Sequence, residues 1–77
     1  MKKLSTSETE KITNKLQQLE LSLLSSYGLK NLNGGYVELD MWDYNDKWIY
    51  LECKSGVQGE DYRVEDLKMC RETLELY

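Results

Sequence analysis

The chain has 77 residues, 40% of them hydrophobic and 31% charged, with 14 acidic against 10 basic side chains and no histidine. That length holds one domain at most, spanning 1–77, and so short a chain buries only about 60% of the surface its unfolded form exposes. A formal net charge of −4 lacks the basic footprint with which nucleic-acid binders neutralise phosphate, and no apolar run approaches the roughly 18 residues of a membrane span.

The opening stretch MKKLSTSETEK has two lysines but no apolar segment behind them, so no secretory leader and a cytoplasmic location are expected. In that setting Cys53 and Cys70 read as reduced core thiols rather than as a disulfide framework. Without histidine they also offer too few ligands for a zinc site.

The first element is a helix. Ser7 followed by Glu10 has the capping-box spacing. Ile12, Leu16, Leu19 and Leu23 recur at steps of four, three and four, which gives a single apolar stripe. Gly28 supplies the stop, because glycine takes the left-handed conformation beyond a last turn. Leu29 to Leu32 then reads as a short edge strand closed by Asn33-Gly34-Gly35.

From Tyr36 to Tyr44 the pattern alternates with period two. Val37, Leu39 and Met41 point one way, and Tyr36, Glu38, Asp40 and Trp42 the other. Lys47 to Lys54 repeats the pattern, with Ile49, Leu51 and Cys53 opposed to Trp48, Tyr50, Glu52 and Lys54. Two such runs make a hairpin, and its register follows from the requirement that the apolar faces coincide. A two-residue Asn45-Asp46 loop would set Met41 against Tyr50 and mismatch the faces. A three-residue loop, Asn45 to Lys47, sets Met41 against Leu51, Leu39 against Cys53, Asp40 against Glu52, and Glu38 against Lys54. Ser55 to Gly59 reads as a flexible connection. Val64, Leu67, Cys70, Leu74 and Tyr77 then trace a second amphipathic helix. The expected class is therefore α/β (α+β), in the order helix, short strand, β-hairpin, helix.

Glu-x-Lys alone carries no weight, since nine Glu and eight Lys produce about one such triplet by chance. Its setting adds some. Opposed cross-strand side chains have Cβ atoms roughly 5 Å apart, and like charges there are destabilising. Two carboxylates so placed can share a divalent cation, and a neighbouring lysine can orient an attacking water and offset charge developing on a phosphorane. The plainer reading is a solvated face of mixed charge. Trp42, Trp48 and Tyr50 share that face and read first as a packing layer under a helix, with stacking on nucleobases second. Left uncovered, they would form an interface.

The stretch Val37-Glu38-Leu39-Asp40-Met41 followed by Leu51-Glu52-Cys53-Lys54 resembles the PD-(D/E)xK nuclease superfamily. It is most similar to small bacterial restriction-endonuclease-like proteins that read G-E-I-D-L and then V-E-V-K. The resemblance implies a minimal restriction-endonuclease-like core that hydrolyses nucleic-acid phosphodiesters, DNA foremost, with Mg²⁺ or Mn²⁺. Asp40, Glu52 and the backbone carbonyl of Cys53 would hold the metal, and Lys54 would position the water. The superfamily's first-helix Glu corresponds to Gln17, with Glu20 beside the apolar stripe as its substitute.

Two further expectations stand beside it. One is a small acidic inhibitor or regulator of the phage type, binding a basic protein without catalysis. The other is a fragment whose remaining strand and basic surface lie elsewhere. An unpaired strand edge in so small a domain also implies a homodimer or a larger host.

Overall fold

A computed structural model describes residues 3–77; Met1 and Lys2, part of the stretch read for a leader, lie outside it. The order is α1 (Thr6–Ser26), β1 (Gly35–Tyr44), β2 (Trp48–Val57) and β3 (Tyr62–Cys70). The three strands form an antiparallel meander in the order β1-β2-β3, so the class is α+β. Among the described residues no helix is long and apolar enough to cross a membrane.

Helix α1 begins two residues earlier than the Ser7–Glu10 spacing suggests. Ser5 is the N-cap: its hydroxyl accepts from the Glu8 N–H at 3.0 Å, and its own N–H donates to Glu8 Oε1 at 3.3 Å. Two overlapping Ser-x-x-Glu boxes compete in this stretch, and the earlier one wins because Glu8 also meets Arg71 at 3.1 Å. The far end stops at Gly28 as expected. Gly28 has φ +71°, its N–H bonds the Ser25 carbonyl, and the Leu29 N–H bonds back to Leu24, which is a Schellman cap.

Leu29 to Leu32 is not a strand. Leu32 N–H bonds Leu29 O and Gly35 N–H bonds Leu32 O, so the segment is consecutive turns. The chain must reverse there to bring β1 beneath the helix, and Leu29 packs against the core as it does so. Gly35 is required by close approach, since a Cβ there would run into the Leu29 carbonyl oxygen.

The β1–β2 register matches the expected one at Glu38–Lys54, Leu39–Cys53, Asp40–Glu52 and Met41–Leu51. Nearer the tip a bulge at Trp42 shifts it by one, so Asp43 opposes Tyr50 and Tyr44 opposes Ile49. Asn45 then closes the hairpin, its Oδ1 accepting from Lys47 and Trp48 N–H at 2.8 and 2.7 Å. The extra residue turns Tyr44 toward the core and releases Trp42, 62% exposed, from the ladder.

The expected second helix is a strand. Val64, Leu67 and Cys70 fit a helical step, but in β3 Leu67 and Met69 face α1's side of the sheet while Val64 and Cys70 face the other way. The free edge of β2 decides the matter, because a third strand satisfies its main-chain groups and a detached helix does not. Ser55–Val57 belongs to β2, and a tight turn with Glu60 N–H on Val57 O leads into β3.

The core lies between α1 and the inner sheet face. Ile12 and the half-buried Leu16, Leu19 and Leu23 pack on Val37, Leu39, Ile49, Leu51, Cys53 and Met69. Ile49 and Leu51 are fully buried, each contributing about 1.5–3 kcal/mol. At one end Arg71 ties three segments together. It forks onto Glu8 and donates to the carbonyls of Asn45 at 3.0 Å and Lys3 at 3.1 Å.

Candidate functional site

Helix α1 covers one face of the sheet, and among the described residues no helix covers the other. The uncovered face is set by alternation from the buried one, and the ladder registers align it into rows across the three strands. Asp40, Glu52 and Asp66 form the central row. Glu38, Lys54 and Val64 form the next, and Tyr36, Gly56 and Tyr62 the one beyond. On the other side Asp43, Tyr50 and Lys68 are aligned, with Trp42 against the Tyr50 ring at 5.8 Å between centroids. The last row pairs Trp48 with Cys70, and Tyr77 meets the Trp48 ring edge-on at 5.2 Å.

An acidic belt therefore runs between two aromatic ends. The aromatic layer expected beneath a helix has none above it, because the segment that should have supplied the helix is β3. Trp42, Tyr62 and Tyr77 are each more than half exposed.

The lysines of this face lie against rings. Lys68 Nζ sits 4.1 Å from the Trp48 ring centre and Lys54 Nζ 5.2 Å from that of Tyr62, both within cation–π range. Among the described residues Arg63 pairs with Glu65, and Arg71 with Glu8. Glu38, Asp40, Glu52 and Asp66 thus have no ion-pair partner there.

Asp40, Glu52 and Lys54 are brought onto one face, as their alternation requires. Glu20 is not among them. It projects from α1 on the other side of the sheet, where its Oε2 accepts from the Leu39 N–H at 2.8 Å, capping the outer edge of β1. Glu20, Gln17 and Asp40 share an open groove of about 360 Å³ along that edge. Because the Leu39 N–H points outward to Glu20, Leu39 and Cys53 form a non-hydrogen-bonded pair, and the Cys53 carbonyl points into the ladder with β3. Of the groups that the resemblance implies, Asp40 and Glu52 are direct cross-strand partners, while Glu20 accepts from the Leu39 N–H. Among the described residues no group of three or more His, Cys, Asp or Glu is disposed to hold a metal ion.

Both cysteines are free, but only Cys53 is a core thiol. Burial, then the Glu65 charge, pushes its pKa up. Cys70 is half-buried on the uncovered side, and hydrogen bonds from the Thr73 hydroxyl and then the Thr73 backbone hold its thiol below the ordinary value.

Sequence reasoning missed Val64, Asp66 and Lys68 because it assigned them to a helix, and it left Tyr62 unassigned between the connection and that helix. The available signal was the hairpin pattern itself: a glycine-bearing turn at Gln58-Gly59, then Tyr62 and Val64 as strand formers. No protein-family model matches the chain, and neither a curated protein nor a solved structure matches it.

Proposed function

We propose that the uncovered sheet face is a docking surface for a basic protein partner, and that the chain is a small acidic binding module of the inhibitor or regulator kind. The observation that carries this is the row Asp40–Glu52–Asp66: three carboxylates side by side without ion-pair partners among the described residues. Like charges directly opposed across a ladder destabilise it. A partner presenting arginine or lysine removes that repulsion on binding, and the flanking Trp42, Tyr50, Trp48 and Tyr62 provide large apolar contact around it. Aromatic-rich patches bounded by charge are the composition of interface hot spots. Phosphate would meet repulsion at the same place, which favours protein over nucleic acid.

The test uses an oligo-arginine peptide titrated into isotope-labelled protein. Amide and indole shifts should cluster at Asp40, Glu52, Asp66, Trp42 and Tyr50, and affinity should fall with salt as screening grows. Neutralising the row (Asp40→Asn, Glu52→Gln, Asp66→Asn) should weaken binding about tenfold or more, while neutralising the exposed Glu10, Glu72 and Glu75 should change it less than about twofold. Equal losses from the two sets would reduce the effect to bulk charge and remove the proposal.

A second reading keeps the resemblance: a restriction-endonuclease-like core hydrolysing nucleic-acid phosphodiesters with Mg²⁺ or Mn²⁺. It rests on Asp40 and Glu52 as cross-strand partners with Lys54 two residues along the same face. Glu20, which the resemblance offers as the helix carboxylate, accepts from the Leu39 N–H through Oε2. Metal-dependent melting separates the two readings.

A further inference from the structure

The outer edge of β3 is half closed. The carboxy-terminal segment folds back along its end: Cys70 N–H donates to Glu75 O, Tyr77 N–H donates to Lys68 O, and Met69 bridges Leu76. These bonds also fix the phase of the strand. Lys68 and Cys70 turn their main-chain groups away from β2, so by alternation Asp66, Val64 and Tyr62 do the same. Between the turn ending at Asp61 and the tail at Lys68, the edge from Tyr62 to Asp66 has no backbone partner among the described residues.

We propose that this edge pairs with the same edge of a second copy, antiparallel about a two-fold axis at Val64, giving a continuous six-stranded sheet. The side chains select both the partner and the register. With Val64 opposite Val64 of the second copy, Arg63 falls opposite Glu65 and Glu65 opposite Arg63, so both charges of one copy meet their complements. Tyr62 falls opposite Asp66, and the 49% exposed Val64 meets its own equivalent. Sliding by one hydrogen-bonding step in one direction opposes Glu65 to Glu65 and runs into the tail already bonded to Lys68. Sliding in the other direction opposes Arg63 to Arg63. Charges on an edge strand ordinarily prevent pairing; here their order permits one register and disfavours its neighbours.

The second copy is favoured over a foreign strand because the complementarity is to the chain's own sequence, as an isologous contact requires. In the monomer Arg63 and Glu65 pair with each other at 2.9 Å with the arginine 74% exposed, so both are within reach of a strand laid alongside. The seam carries about six main-chain hydrogen bonds over a short strand pair. That is a small interface, and the dimer should depend on concentration. Both uncovered faces lie on the same side of the joined sheet.

Sedimentation equilibrium over about 1 to 500 µM tests this, a range chosen to span weak association. The protein should pass from monomer mass toward dimer mass across that range. Val64→Pro should hold the chain at monomer mass while keeping its circular dichroism, because the amide it removes points away from β2 and an edge tolerates proline. Arg63→Glu and Glu65→Arg should each weaken association at least about tenfold, and the double exchange should restore it to within about threefold. A constant monomer mass would overturn the proposal, and so would a dimer that survives Val64→Pro or a double exchange that fails to restore it. A dimer insensitive to all three changes would place the contact elsewhere.

Discussion

The Glu20 carboxylate accepts the Leu39 N–H at 2.8 Å across the gap between α1 and the outer edge of β1. A helix side chain thereby takes the place of a neighbouring strand, satisfying an amide that would otherwise be left at the margin of the core beside the nearly buried Leu39. Glu20→Ala should lower stability by about 1–2 kcal/mol in urea unfolding, while Glu20→Gln, which keeps an acceptor oxygen, should lose less than half of that. Equal losses from the two variants would mean that the hydrogen bond contributes little.

Asp40 and Glu52 repel each other across the β1–β2 ladder. Asp40→Asn should therefore raise stability in metal-free buffer by about 0.2–1 kcal/mol. The docking proposal expects no response of the wild-type melting temperature to millimolar Mg²⁺ or Mn²⁺. The phosphodiesterase reading expects stabilisation of about 2.7 kcal/mol at a hundredfold excess over the dissociation constant, abolished by Asp40→Asn. In that reading Lys54→Ala keeps the metal response and removes cleavage. Differential scanning calorimetry with and without metal decides between them.

Arg71 closes the end of the molecule through geometry as well as charge. Its guanidinium forks onto both Glu8 oxygens and reaches two carbonyls besides, a pattern a lysine ammonium cannot reproduce. Arg71→Lys should lower the melting temperature by about 5–10 °C, and exchange of the amides around Ser5–Thr9 and Asn45–Trp48 should accelerate together. A variant with unchanged melting would show that the three segments hold without it.

The two thiols should differ in reactivity and in its pH dependence. Cys70 is only half-buried and its pKa is lowered by Thr73, so alkylation by iodoacetamide should begin at a pH below that of an ordinary thiol, because the thiolate is the reacting form. Cys53 is buried and its pKa is raised, so it should react only on unfolding. Thr73→Val should shift the Cys70 profile toward higher pH without changing that of Cys53. Peptide mapping after timed alkylation reads both.

Much of the hairpin was legible without coordinates. Alternation over Tyr36–Met41 and Trp48–Lys54 sorts each side chain to a face, and a buried apolar face admits only one alignment of the two strands, so Asp40 had to oppose Glu52. The helix was legible for a similar reason: its stripe has one period, and Gly28 marks the stop that a left-handed residue requires. Both patterns are local, and each is enforced by burial on one side alone.

What lay beyond the sequence was decided by edges. Val64, Leu67 and Cys70 suit a helix as well as a strand, and the choice fell to β2, whose second edge needed a ladder. That choice put Asp66 and Lys68 beside Glu52 and Tyr50, removed the helix expected above the aromatics, and left the acidic row open. Glu20 was drawn to the opposite side by an amide on the edge of β1. Neither outcome is encoded in any short window, because an unpaired main-chain group becomes costly only once the rest of the sheet has buried its surroundings.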